Sequence, residues 1–191
     1  MSNTRPFIDV AVIMQRIANT GPGARWQPWR WELADVVRHE PGFGTEARLL
    51  YENESIQRWI HGGLKVELFK DDAEGYYLNA TTDVPSWFVL WRMEDEPSVA
   101  PEPIARPLIA TLSYYDAGRW LDAQETVEQV PAPPEVLRWL GAFVEEHYVV
   151  EPKKRKRPDS FKSLTDRFGN PASVSTLKTF GGGEGKGGPH G

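Results

Sequence analysis

Tryptophan and arginine side chains recur close together in this sequence, and together they could bind a ligand or a partner. The residues are Trp26, Trp29, Trp31, Trp87 and Trp91, with Arg25, Arg30 and Arg92 nearby. Exposed indole rings beside guanidinium groups can stack on a nucleobase, a sugar or an aromatic side chain of another protein. Tryptophan at alternate strand positions is also typical of a hydrophobic core, so a packed interior is the second interpretation. The candidate binding residues on the first interpretation are Trp29, Arg30, Trp31, Trp87, Trp91 and Arg92.

Arg92 interrupts the otherwise apolar segment 87–93. An arginine in the middle of a sheet either keeps its guanidinium in water or pairs with a carboxylate. Glu67 and Glu32 are possible partners for such a pair. Recognition of a ligand or of another protein is the alternative role for this side chain.

Five consecutive basic residues follow the tryptophan-rich part of the chain. They are Lys153, Lys154, Arg155, Lys156 and Arg157, between Pro152 and Pro158. Flanking prolines favour an extended, accessible segment. Such a run can bind an acidic protein, RNA or anionic lipid, or can serve only as a solvated linker.

The remaining titratable residues do not form a recognised catalytic or metal-binding pattern. The acidic clusters at 71–74 and 94–96 lack the spacing of a calcium loop, and we expect them to be solvated charges at strand ends. His39, His61 and His147 have no metal-site spacing, and His61-Gly62-Gly63 is interpreted as a turn before a strand. His147 at a helix C-terminus fits the dipole preference there.

Several classes of chemistry are excluded or unsupported by composition. The chain has no cysteine, so by itself it cannot ligate an iron–sulfur cluster or a thiolate zinc ion, and it has no thiol nucleophile. No phosphate loop, dinucleotide-binding fingerprint or Gly-x-Ser-x-Gly motif is present. We therefore expect no cofactor, no metal and no catalytic residues, and an enzyme is the less favoured interpretation.

Hydrophobic periodicity predicts the elements that position these residues. The sequence pattern predicts strands at 7–17, 26–37, 46–51, 64–69, 76–80, 87–93 and 108–112, and a short extended stretch at 127–131. The turn chemistry of 71–75 predicts a hairpin between the fourth and fifth of these strands, continued by 87–93 as an antiparallel meander. Because 87–93 is apolar on both faces, it is predicted to be central in its sheet.

Two helices complete the prediction. Ser113 followed by Asp116 resembles a capping box and predicts a helix over 114–122, while Pro133 and Pro134 begin an amphipathic helix that extends to about His147. The predicted class is α+β. The predicted architecture is one curved antiparallel sheet or partly open barrel with the last helix packed over it.

The net charge of −5 conceals two oppositely charged parts. Residues 1–150 carry 13 Lys and Arg against 23 Asp and Glu, whereas residues 151–191 carry 9 against 4. We therefore predict one α+β domain at 1–150 and a basic, then glycine-rich, disordered tail at 151–191. The acidic domain would repel phosphates, so nucleic acid could be bound only through the tail. Without a signal-peptide core or a membrane-span pattern, a cytoplasmic location is expected.

Five strings in this order carry a family resemblance. They are Arg-Trp-Gln-Pro-Trp-Arg-Trp-Glu at 25–32, Asp-Ala-Glu-Gly-Tyr-Tyr-Leu-Asn at 72–79, Trp-Phe-Val-Leu-Trp-Arg at 87–92, Arg-Trp-Leu-Asp at 119–122 and Glu-Pro-Lys-Lys-Arg at 151–155. Over about residues 8–161 the chain resembles a small, tryptophan-rich bacterial family of unknown function. Genes of that family often lie beside genes for molybdenum-dependent formate dehydrogenase. The resemblance implies an accessory factor for assembly, maturation or regulation of that enzyme, and it implies no catalytic residues.

Two functional hypotheses follow. The leading one is a non-enzymatic accessory protein whose tryptophan-bearing sheet or tail binds an oxidoreductase subunit or a maturation factor. The alternative is a domain that binds or transforms a pterin or nucleotide, with Trp29, Trp87 and Arg92 lining a pocket. RNA binding through the basic run is a third possibility.

Overall fold

A computed structural model describes residues 4–150. The strands are β1 (Phe7–Ala18), β2 (Trp29–Arg38), β3 (Arg48–Glu52), β4 (Ile56–Glu67), β5 (Ser86–Glu94), β6 (Ile104–Thr111) and β7 (Thr126–Pro131). The helices are α1 (Ala73–Ala80), α2 (Tyr114–Asp122) and α3 (Pro134–His147). The predicted basic run and disordered tail at 151–191 lie outside the described residues.

The strands form two antiparallel sheets. The first has the order β2-β1-β4-β3, and the second has the order β6-β5-β7. The α+β class, the antiparallel pairing and the C-terminal helix are confirmed, and β5 is central in its sheet as predicted. The predicted single sheet is instead two sheets. The strand β2 contacts β7, and β4 contacts β6, but no backbone pairing connects either pair. Within the described chain the strands thus form an open arrangement and no closed barrel.

The main core lies between the two sheets. On β1, Val10, Val12 and Met14 are buried at alternate positions, which is the face that the sequence predicted. On β5, Trp87 and Val89 contribute from the other sheet. The helix α3 covers this core with the buried positions Val136, Leu140, Phe143 and Val144. Each layer therefore buries the apolar stripe that its own periodicity predicts.

The predicted strand at 76–80 is wrong, because these residues belong to α1. Ala73, Tyr76 and Asn79 are buried at helical spacing, which places them on one face of the helix. Tyr76 packs edge-on against Phe143 of α3, with ring centroids 5.8 Å apart. The predicted hairpin and meander are therefore replaced by a helical connection from β4 to β5.

Asn79 fastens α1 to the second sheet. Its amide nitrogen donates to the carbonyl oxygens of Ser86 and Leu112, each at 2.8 Å, and its Oδ1 accepts the Ser86 N–H at 3.0 Å. The side chain is buried, so these three bonds satisfy groups that water does not reach. A polar residue thereby fixes where the helix meets the start of β5 and the end of β6.

The predicted turn at His61-Gly62-Gly63 is also wrong, since all three residues lie within β4. The register between β1 and β4 shifts here, and Gly63 has a φ of 80°, which favours glycine. A Cβ atom placed on Gly62 would lie 2.0 Å from the carbonyl oxygen of Gly44. The glycines therefore serve a bulge and a close backbone approach rather than a chain reversal.

The two predicted helices α2 and α3 are confirmed. Ser113 is the N-cap of α2, and its hydroxyl accepts the Asp116 N–H at 3.2 Å. The Asp116 carboxylate does not complete a reciprocal capping box but accepts the Thr111 hydroxyl at 2.8 Å. The short acidic side chain thus ties the helix start to the end of β6.

Candidate functional site

Four of the predicted binding residues line one groove of about 520 Å³. Trp29, Arg30 and Trp31 come from β2 of the first sheet, and Trp91 comes from β5 of the second sheet. We call this the tryptophan groove, whose principal residues are Arg16, Trp29, Arg30, Trp31, Trp91 and Met93. It lies between β2, an edge strand of the first sheet, and β5, the central strand of the second, so neither sheet alone forms it.

Arg16 supports the rim of the tryptophan groove. Its guanidinium carbon lies 4.5 Å from the centroid of the Trp29 ring. The same guanidinium forms an ion pair with Glu102 at 2.8 Å, although its own side chain is only 17% exposed. These contacts tie β1, β2 and the segment before β6 together around one indole ring.

Glu128 of β7 binds Trp91, one of the groove residues, without itself lining the groove. Its Oε2 accepts the indole N–H of Trp91 at 2.6 Å and the backbone N–H of Leu33 at 3.0 Å. Leu33 belongs to β2, so one carboxylate oxygen connects the two sheets where no ladder joins them. The periodicity of the sequence gives no sign of this contact between residues 95 positions apart.

Trp87 and Arg92 do not lie in the groove. Trp87 is 2% exposed and belongs to the main core, and Trp26 stands outside the groove with 86% of its surface exposed. Arg92 forms an ion pair with Glu125, and its Nε donates to Glu125 Oε2 at 3.0 Å. This pairing raises the pKa of Arg92 and lowers the pKa of Glu125. The carboxylate partner is therefore Glu125, not Glu67 or Glu32, and neither Trp87 nor Arg92 lines the groove that contains Trp29.

A second concave site escaped prediction from the sequence. We call it the histidine cleft, a cavity of about 670 Å³ whose principal residues are Thr45, Glu46, His61, Asp95, Glu96 and Arg106. His61 is 5% exposed, and its Nε2 has no hydrogen-bond partner among the described residues. Burial, with a smaller contribution from the charge of Arg106, lowers the pKa of His61 to about 4. The imidazole is therefore neutral at pH 7.

The Gly62-Gly63 pair is the feature of the sequence from which the histidine cleft could have been predicted. The pair lets the loop around Gly44 and Thr45 approach β4, and Thr45 then forms part of the cleft wall. Arg106 is held by Glu96 and, at 3.4 Å, by Glu94. The acidic residues at 94–96, interpreted from sequence as solvated charges, thus include two half-buried partners of an arginine, Glu94 and Glu96.

Neither site presents a metal centre. Among residues 4–150, no group of three or more histidine, aspartate and glutamate side chains is placed to hold a metal ion. Within the same residues, no helix has both the length and the apolar character needed to cross a membrane.

Comparison with known proteins gives a family but no activity. No curated protein and no solved structure matches the chain significantly. A family model does match, over residues 9–157, which is most of the sequence. The chain therefore belongs to the family described as "Protein of unknown function (DUF3305)".

Proposed function

We propose that this chain is a non-enzymatic accessory protein that binds another protein through the tryptophan groove. The observation that carries the proposal is the convergence of Trp29, Trp31 and Met93 on one groove beside two arginines. Trp29 and Trp31 are half-buried, and Met93 is 47% exposed. Tryptophan, methionine and arginine are the side chains that protein interfaces enrich, and partly exposed tryptophan often dominates their affinity.

The charges around the groove indicate the chemistry of the partner. Arg16 is neutralised by Glu102, whereas Arg30 is exposed and lies 3.6 Å from Glu32 at its nearest approach. The groove lining thus carries two arginines and one glutamate within an otherwise acidic domain. An apolar segment of another protein that also carries an acidic side chain fits this distribution best.

The family resemblance narrows the candidates for this partner. Its implied connection with formate dehydrogenase favours a subunit of that enzyme or a factor needed for its maturation. An incomplete subunit exposes apolar surface that later becomes buried, and such surface is what a tryptophan-lined groove binds.

A matched pair of variants tests the proposal. The tagged full-length protein is purified from its native host grown with formate, and co-purified formate dehydrogenase subunits and maturation factors are quantified. Met93→Asp places a negative charge in the groove, and Ile109→Asp makes the same change at an equally exposed position on β6. We expect Met93→Asp to reduce recovery of the partner by about tenfold or more, because it adds repulsion and removes apolar contact. Ile109→Asp is expected to leave recovery unchanged.

A second pair tests the charge argument. Arg30→Glu reverses an exposed charge in the groove, and Arg38→Glu reverses an exposed charge at the other end of the same strand. We expect recovery of the partner to fall with Arg30→Glu and to be unchanged with Arg38→Glu. The loss with Arg30→Glu should be larger at low salt than at high salt. Equal loss with both variants, or no oxidoreductase or maturation subunit with the unmodified protein, would contradict the proposal.

The groove volume also favours a second candidate, the binding of a small planar ligand. About 520 Å³ falls within the range of ligand pockets, and Trp29 and Trp31 supply stacking surfaces. Titration with pterins and nucleotides, followed by tryptophan fluorescence, distinguishes the two functions. A saturable change that Trp29→Leu abolishes would favour the small ligand, and an unchanged spectrum would exclude it.

A further inference from the structure

Two indole rings of the tryptophan groove keep hydrogen-bond donors that no described residue uses. Trp29 and Trp31 are half-buried, yet the N–H of neither ring has an acceptor among residues 4–150. Both nitrogens also remain accessible to solvent, unlike two indole nitrogens elsewhere in the described chain that are buried and unpaired. The indole of Trp91 differs again, because Glu128 accepts its N–H. Trp29 and Trp31 can therefore each donate a hydrogen bond to a ligand at the groove.

Hydrogen-bond acceptors are scarce in the same lining. The tryptophan and arginine side chains carry only donors, and the carboxylate of Glu102 is already paired with Arg16 at 2.8 Å. The backbone oxygens of Gln27 and Pro28 already accept hydrogen bonds from Asn19, which leaves the side-chain oxygen of Gln27. A buried donor without an acceptor is costly, so a ligand that brings acceptors and few donors fits this surface best.

A proline-rich segment of protein has this complementary chemistry. Each proline has a carbonyl oxygen but no backbone N–H, so it brings an acceptor without a donor. In the polyproline II conformation these oxygens form no internal hydrogen bonds, and the proline rings pack on aromatic side chains. The spacing agrees as well. Trp29 and Trp31 are two positions apart on β2, which is about 6.6 Å along a strand, and two residues of polyproline II rise about 6.2 Å.

The chain itself places an acidic residue between two prolines at this groove. Glu102 follows Pro101 and precedes Pro103, and both Glu102 and Pro103 belong to the lining. The Glu102 carboxylate pairs with Arg16, whose guanidinium carbon lies 4.5 Å from the centroid of the Trp29 ring. A carboxylate flanked by proline is therefore already accommodated beside one of the two indoles.

Arg30 offers a second guanidinium to an incoming carboxylate. Its side chain is 53% exposed, and its Nε lies 3.6 Å from Glu32 Oε2. Its Nη1 lies 3.4 Å from Asn19 Oδ1. Both distances are longer than those of strong charged hydrogen bonds, so a well-placed carboxylate can form the better contact.

We propose that the tryptophan groove binds a proline-rich segment of its protein partner with an acidic residue beside the prolines. The inference rests on the proposed function, because it specifies which kind of segment the groove takes from that partner. Trp29 and Trp31 donate to carbonyl oxygens of the segment and pack against its proline rings. Arg30 pairs with the acidic side chain.

The probe is an eight-residue peptide of six prolines with a glutamate at each end. In one control peptide alanine replaces every proline, and in a second control peptide lysine replaces both glutamates. The full-length protein, labelled with ¹⁵N, is titrated with each peptide while the indole N–H signals are followed. We expect saturable shifts at Trp29 and Trp31 with the probe, no shift at the buried Trp87, and binding of either control weaker by about tenfold or more.

A pair of variants locates the acidic contact. Arg30→Glu should weaken binding of the probe by about fivefold or more, and Arg38→Glu, at the other end of β2, by less than about twofold. Equal weakening by the two variants would overturn the pairing with Arg30. The proposal as a whole is overturned if the alanine peptide binds as tightly as the probe, or if Trp29 and Trp31 show no shift up to millimolar probe.

Failure of this inference is distinguishable from failure of the proposed function. Loss of the partner with Met93→Asp in the native host, without any response to the probe, would refute only the preference for proline. Saturable, proline-dependent binding of the probe, without co-purification of an oxidoreductase or maturation subunit, would support the preference for proline and contradict the proposed partner.

Discussion

Removal of the Glu128 carboxylate tests how the two sheets are held together at the tryptophan groove. One oxygen of this residue accepts hydrogen bonds from Trp91 and Leu33, which belong to different sheets. Glu128→Ala leaves both donors without their acceptor. Glu128→Gln keeps an oxygen that can accept both bonds but removes the charge.

The expected magnitude follows from these two contacts. A hydrogen bond to a charged group contributes about 1.5–3 kcal/mol, and both donors are nearly buried. Because Glu128 itself is half-buried, water can replace part of what is lost. We therefore expect Glu128→Ala to lower the free energy of unfolding by about 2–4 kcal/mol, and Glu128→Gln by about 1 kcal/mol.

Urea unfolding gives these free energies, and the indole N–H signal of Trp91 in a ¹⁵N spectrum reports the local bond. Gln129→Ala, at the next and exposed position of β7, is the control and should change stability by less than about 0.5 kcal/mol. A Glu128→Ala protein as stable as the control, with the Trp91 signal unmoved, would refute the role given to this carboxylate.

Three further outcomes are expected from the fold and the histidine cleft. Gly62→Ala should destabilise the protein by about 2 kcal/mol or more in urea, because the new Cβ meets the Gly44 carbonyl oxygen. Gly118→Ala, which meets nothing within 4 Å on α2, should instead be neutral or stabilising. Asn79→Ala should cost about 3 kcal/mol in the same assay, since three buried hydrogen-bonding groups lose their partner; a loss below about 1 kcal/mol would contradict that anchoring. The imidazole of His61 should titrate near pH 4 by NMR, against 6.5 when unfolded. The unfolded chain therefore binds more protons than the folded protein between pH 4 and pH 6.5. This residue's contribution of about 3 kcal/mol to the free energy of unfolding is complete above pH 6.5 and is lost as the pH falls to 4. Titration of His61 near pH 6.5 in the folded protein would contradict this expectation.

Hydrophobic periodicity predicted most helices and strands correctly. It failed where the same apolar residues fit either a strand or a helix. Trp29 and Trp31 at alternate positions correctly predicted one shared face of β2, and the prolines correctly placed the start of α3. The turn residues at 71–75 indicate a hairpin and therefore predict a returning strand at 76–80, with which the two tyrosines are compatible. Packing of Tyr76 against Phe143 of α3, far along the chain, decides for a helix.

The candidate sites depend on contacts between residues that a single sequence does not identify as partners. Trp87 and Trp91 lie on the same face of β5, yet only Trp91 reaches the groove, where Glu128 binds it. Likewise, Arg92 could have met several carboxylates, and the neighbouring strand β7 determines that Glu125 is close. The residue types could be predicted, whereas their partners follow from how the two sheets are placed.

Site-specific photo-crosslinking tests the central claim most directly, which is that the tryptophan groove binds another protein. A photo-reactive amino acid replaces Met93 in the groove, and in a matched protein it replaces Ile109 on β6, both 47% exposed. The account predicts that position 93, but not position 109, crosslinks to a formate dehydrogenase subunit or maturation factor in the native host. It also predicts that Arg30→Glu abolishes this crosslink. Equal crosslinking from both positions, or none to such a protein from position 93, would contradict the claim.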